Sequence, residues 1–158
     1  VPNGDKYNLK DLMSFDHRKK MIEIELQNVK YKERVVISEF EKSTLYKGSI
    51  ETLRYYNHPI MVIGDDCFLS LHTWINAKQL VSENRFLVIT RNHTKKVLED
   101  YLKKQEILSN YVDNFNIVEL FDDEIRTISS SSYRVNNNQN VISKDVINYI
   151  NNNKLYEV

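Results

Sequence analysis

One cysteine, Cys67, stands in a chain of 158 residues. It has no second cysteine in the chain to pair with, which excludes a disulfide scaffold and suits a reducing cytosol. Three glycines and two prolines leave few breakpoints and no flexible linker. The longest apolar runs, Ile60–Ile63 and Phe86–Ile89, stop at four residues. A membrane-spanning helix needs about 20. No charged-then-apolar leader opens the sequence, so a secretory signal is not expected. An excess of one charge is also missing: 22 basic residues balance 22 acidic ones, whereas a dedicated nucleic-acid binder usually carries a basic face. What is present, 41% hydrophobic and 28% charged residues, is ordinary for a globular chain and excludes wholesale disorder. The expectation is a cytoplasmic single domain over 1–158, with no nucleic-acid or membrane partner; a homo-oligomer is compatible with it.

Apolar spacing and capping residues predict the elements. Ser14 caps a helix to about Lys30, with Phe15, Ile22, Leu26 and Val29 on one side. Val35-Val36-Ile37 marks a strand over Arg34–Phe40, and Ser49 caps a short helix through Tyr56. Pro59–Gly64 reads as a buried strand running into Gly64-Asp65-Asp66. Helical pieces follow at Phe68–Trp74 and Asn76–Glu83, then a strand at Arg85–Thr90. The longest helix is predicted over Thr94–Tyr111, with Val97, Leu98, Tyr101, Leu102 and Ile107 as its apolar face. Asn116–Phe121 is a further strand, and Ser143 caps a last helix through Asn151. Strands that alternate with helices, and are apolar throughout, indicate an α/β fold: a parallel sheet with helices on both faces. Ligands of such sheets bind beyond the carboxyl ends of the strands. That directs attention to Gly64–Asp66, Arg91 and the loop before Ser129.

Each of these places has two readings on residue type alone. Gly64 permits a tight turn, and Asp65 and Asp66 could accept bonds from ribose hydroxyls, hold a metal, or simply favour the positive end of the next helix. Trp74, the sole tryptophan, is either core or a stacking platform for a flat ring. The four histidines show no ligand spacing, and Cys67 has no companion, so a zinc site is not indicated. Ser129–Ser132 followed by Arg134 offers hydroxyls, free amides and a guanidinium, a set suited to phosphate, or else a serine-rich loop. The basic start, with Lys6, Lys10, His17, Arg18, Lys19 and Lys20, is a solvated helix face or a phosphate receiver.

Several pieces occur in a familiar order. Val1-Pro2 with Gly4-Asp5-Lys6-Tyr7-Asn8, His17-Arg18 with Met21, Glu39, then Ser49, Thr52 and Leu53 form the first half. Ile63-Gly64-Asp65-Asp66, Leu71–Trp74, Val88–Arg91, Ile128–Arg134 and Val146–Tyr156 form the second. Together they resemble the bacterial nicotinate-nucleotide adenylyltransferases of the nucleotidylyltransferase superfamily, with their HR–x–x–M helix, IGxD turn, ISSTxxR signature and closing VxxYIxxxxLY. The resemblance implies a Rossmann-like fold and adenylyl transfer from ATP, accompanied by Mg²⁺, to nicotinate mononucleotide in NAD synthesis. It implies that Asp66 and Gly64 bind the mononucleotide, with Trp74 stacked on the pyridine and Ser49 and Arg91 nearby. It implies that Ser130, Ser131 and Arg134 hold the ATP phosphates, across a crevice from Asp66. The sequence departs from the family at Gly48, where the family has tyrosine. It opens beyond the family's first strand and GxFxPxHxGH-type loop, so the catalytic histidines are not among the residues that can be named. Three readings follow: an upstream segment completes the enzyme, the chain is a non-catalytic nucleotide-binding module, or the acceptor is nicotinamide mononucleotide.

Overall fold

The computed structural model describes residues 13–42, 47–120, 128 and 142–156. These fall into two compact units, one within Val1–Thr44 plus Thr127–Val158 and the other within Leu45–Arg126.

The Leu45–Arg126 unit is built on three strands, β1 (Met61–Gly64), β2 (Phe86–Ile89) and β3 (Phe115–Val118). All pair in parallel in the order β1-β2-β3, with Met61, Phe86 and Phe115 in register. Helices flank them: α2 (Ser49–Tyr55) ahead of β1, α3 (Asp65–Ser70) and α4 (Ala77–Glu83) between β1 and β2, and α5 (Lys95–Lys104) before β3. The fold is therefore α/β with a parallel sheet, as the alternating pattern predicts. The strands sit inside the predicted runs or begin one residue before them. Burial alternates along them: Ile63, Phe86, Val88 and Ile117 are buried, whereas Val62 is 62% exposed. Phe68 of α3 fills the core between the two ring neighbours it meets edge-on, Tyr101 at 5.7 Å and Phe115 at 5.5 Å. Such aromatic pairs add about 0.5–1.5 kcal/mol beyond their buried area.

The predicted helix over Thr94–Tyr111 is shorter. Thr94 caps it, its hydroxyl accepting from Val97 N at 3.5 Å, and Leu98 and Leu102 face the core. Val97, placed on the apolar face by spacing, is half exposed. The helix ends because Gln105 turns extended, and its side-chain oxygen accepts from the amides of Ile107 and Leu108 at 2.7 and 2.8 Å. That bond starts a separate 3-10 stretch, Leu108–Asn114, with a kink at Tyr111. A side-chain cap in mid-pattern has overridden the helical periodicity.

The other unit holds α1 (Phe15–Leu26) and α6 (Lys144–Asn152). Ser14 and Ser143 cap them, accepting from His17 N and Val146 N. The two helices pack through Met21, Ile24, Val146 and Ile150, and His17 Nδ1 lies 2.8 Å from the Tyr149 hydroxyl. α1 stops at Leu26, short of Lys30; a turn follows, and Tyr31 takes a left-handed conformation at φ 67°. The strand predicted at Arg34–Phe40 does not form. A 3-10 turn, Lys32–Arg34, leads into chain without regular secondary structure, then a second turn, Phe40–Lys42. Val36 is 84% exposed, and with no neighbouring strand to pair with among the described residues, β-branched propensity has nothing to act through. Ion pairs from Lys19 to Glu39 and from Lys42 to Asp16 tie this stretch to α1.

Candidate functional site

β1 delivers Gly64 at the carboxyl edge of the sheet, and α3 starts on the next residue. Gly64 has ordinary backbone angles, φ −78° and ψ 167°; what the position requires is space. A Cβ there would lie 2.8 Å from Asp66 Oδ1. The Asp66 carboxylate therefore folds back over the bare end of β1 while the residue stays exposed. Set in the first turn of α3, it is also favoured by the helix dipole. The two readings of Asp66 are thus compatible: its charge suits the helix start, and its oxygens remain accessible acceptors.

Asp65 behaves differently. It is fully buried, and its Oδ2 accepts from the backbone amides of Arg91, Asn92 and His93 at 3.1, 2.6 and 2.8 Å, with His93 Nδ1 at 3.1 Å. Burial alone would raise its pKa. The converging donors outweigh that effect and hold the carboxyl below its ordinary value. Nothing local signals this role, because the partners lie 26 to 28 residues along the chain. Through it, the end of β1 is bonded to the loop leaving β2, which carries half-buried Arg91.

Trp74 follows a 3-10 turn, Leu71–Thr73, and packs half-buried against the core. Its indole N–H donates to Ser70 Oγ at 3.4 Å, and that hydroxyl lies 3.3 Å from Asp66 O and 3.1 Å from Cys67 O. The tryptophan is thereby linked to the helix that bears Asp66. The turn is held from outside by Tyr101, whose hydroxyl donates to Leu69 O at 2.8 Å and meets His72 Nδ1 at 3.0 Å.

Ser49 is the first residue of α2 and not its cap. Gly48 takes the cap position at φ +125°, a conformation that suits glycine. A Cβ on Gly48 would approach Ile75 Cβ to 3.3 Å, so α2 begins directly against the residue after Trp74. Arg54 then fastens α2 to the end of α4 through two bonds to Glu83, at 2.8 and 3.0 Å.

Ser49, Gly64, Asp66, Trp74 and Arg91 thus belong to one unit; Gly64, Asp66 and Arg91 are linked through the Asp65 clamp and Trp74 through Ser70, whereas the segment of Ser49 is tied to Ile75 and Glu83. Ser130, Ser131 and Arg134 lie outside the described residues, as does the stretch from Val1 to Asn8. Burial and the neighbouring Asp66 charge push the Cys67 thiol up, which leaves it protonated at neutral pH and poorly suited as a nucleophile. Among the described residues, no three His, Cys, Asp or Glu side chains gather to hold a metal ion. No helix among them is long and apolar enough to cross a membrane.

Residues 1–136 match the cytidylyltransferase-like family. The "Probable nicotinate-nucleotide adenylyltransferase" of Acholeplasma laidlawii is 34% identical over 164 residues, an alignment taking in 99% of this chain and 80% of the relative. The protein of the same name in Fusobacterium nucleatum is 28% identical over 113 residues, covering 66% of this chain and 54% of its own length. Among solved structures, the Plasmodium falciparum nicotinic acid mononucleotide adenylyltransferase complexed with NaAD superposes with a TM-score of 0.74 at 23% identity, over 94% of this chain and 77% of that one. The same enzyme complexed with APC gives 0.73 over 92% and 77%. These structures share the Rossmann-like fold. The chain belongs to the cytidylyltransferase-like family of nucleotidyltransferases, alongside the nicotinate-nucleotide adenylyltransferases.

Proposed function

We propose that this protein transfers an adenylyl group from ATP to the 5′-phosphate of nicotinate mononucleotide, with the mononucleotide held at the carboxyl ends of β1 and β2. The observation that carries this reading is the Asp66 carboxylate, exposed and folded over Gly64 where the sheet ends. It can accept two ribose hydroxyls at once, and a side chain on Gly64 would occupy that space. Trp74 supplies a flat apolar face for the pyridine, Arg91 a cation for acidic groups, and Ser49 a hydroxyl at the start of α2.

In the reaction, a phosphate oxygen of the mononucleotide attacks the α-phosphorus of ATP. The new P–O bond forms as the bond to pyrophosphate breaks, with no covalent enzyme intermediate. Both reactants are anions, so the protein's task is to hold them in line and offset their charge. Ser130, Ser131 and Arg134 are assigned to the ATP phosphates on the strength of the ISSTxxR resemblance. Mg²⁺ is assigned to the substrate, as MgATP, on the strength of the same resemblance. No described residue touches the reacting atoms in this scheme, and their roles are binding roles.

Full-length protein supplied with ATP, Mg²⁺ and nicotinate mononucleotide should release pyrophosphate and form the dinucleotide, detected by mass spectrometry. Nucleotide binding without product would make it a non-catalytic binding module and end the proposal. Gly48 favours a second acceptor: it leaves no side chain where the pattern of the family it resembles has tyrosine. Competing acid and amide mononucleotides in one assay decides, and a strong amide preference would replace nicotinate by nicotinamide.

A further inference from the structure

Asp65 is the only carboxylate buried among the described residues. Its hydrogen bonding is directed at one place. Three successive amides, those of Arg91, Asn92 and His93, and the His93 ring all reach Oδ2. Oδ1, equally buried, has no hydrogen-bond partner among the described residues. Consecutive N–H groups converging on one anion fix a backbone much as an anion-binding nest does. The last pair of the β1–β2 ladder is Gly64 with Ile89, so the clamp extends the ordered geometry past the sheet, into the loop that carries Arg91.

We infer that Asp65 is a positioning residue for the mononucleotide site: without touching the ligand, it fixes the Arg91 backbone relative to its own chain neighbours Gly64 and Asp66. This rests on the function proposed above. A carboxylate serving stability alone would affect both substrates or neither, whereas one that sets the spacing between Arg91 and Asp66 acts on the mononucleotide.

Asp65→Asn keeps the shape and removes the charge. The expected result is a rise in KM for nicotinate mononucleotide of about ten- to hundredfold, the range for losing a charge-assisted hydrogen bond. KM for ATP and kcat should stay within about threefold, as for sites not sharing partners. Equal rises in both KM values, or no rise in either, overturn the inference. A second measurement needs no variant. In the unsubstituted protein, the amides of Arg91, Asn92 and His93 should exchange slowly for solvent-facing positions, and exchange at open-loop rates overturns the clamp even if Asp65→Asn fails to fold. Calorimetry separates the two failures. An unsubstituted protein that binds no mononucleotide refutes the proposed function, and the inference with it. Normal binding that Asp65→Asn leaves unchanged refutes the positioning role alone.

Discussion

Gly64→Ala is the sharpest perturbation of the site, because its structural and functional costs separate. The added Cβ would stand 2.8 Å from Asp66 Oδ1, where ordinary contact begins at 3.4 Å. To regain ordinary contact the carboxylate must retreat by about 0.6 Å, enough to lose good hydrogen-bond geometry with a ligand. The backbone at φ −78° accepts alanine without strain, and the atom displaced is the tip of an exposed side chain. Stability should change by less than about 1 kcal/mol, as for surface substitutions. A hydrogen bond to a charged group contributes about 1.5–3 kcal/mol, so the Kd for nicotinate mononucleotide, read by calorimetry, should rise about ten- to hundredfold. Asp66→Ala should produce a similar loss, and the double variant should be little worse than either single one, since both remove the same contact. Additive losses in that cycle would refute the reasoning, because Gly64 would then be acting through something other than the carboxylate.

Other expectations concern the supports of the site. Tyr101→Phe removes the hydroxyl that bonds Leu69 O and His72, and should cost about 1 kcal/mol in urea unfolding; no change would mean that the hydroxyl does not hold the Leu71–Thr73 turn. The Asp65 carboxyl titrates below its ordinary value of 3.8 in the folded protein. Its stabilisation is accordingly complete above that pH and is lost as the pH falls through the lower folded value. Asp65→Asn should flatten the acid limb of the stability curve, and an unchanged limb below pH 3.8 would count against the clamp. Trp74 is the sole tryptophan, so stacking of a pyridine on it should quench the protein's indole emission during a nicotinate mononucleotide titration. Saturable binding without quenching would remove Trp74 from the site.

The parts of this molecule that could be read from sequence are those governed by neighbours along the chain. Met61–Gly64 and Phe86–Ile89 are short apolar runs that read as strands of a parallel sheet, and the serine caps at Ser14 and Ser143 need only the next turn of helix. Features set by distant partners were not legible. The Arg34–Phe40 segment has the composition of a strand but no ladder beside it among the described residues. Gln105 breaks a well-patterned helix with one side-chain bond. The site shows the same division. Gly64, Asp66 and Trp74 stand out through the IGxD and tryptophan motifs. Asp65, adjacent to them, acquires its role only when the loop after β2 folds back upon it.

The proposed location of the mononucleotide is tested most directly by titrating nicotinate mononucleotide into isotope-labelled protein and following amide and indole resonances. Saturable shifts concentrated at Gly64, Asp66, the Trp74 indole and Arg91 are the expected outcome. Saturable binding that leaves those four unmoved and shifts residues elsewhere would show that the ends of β1 and β2 are not where this ligand is held.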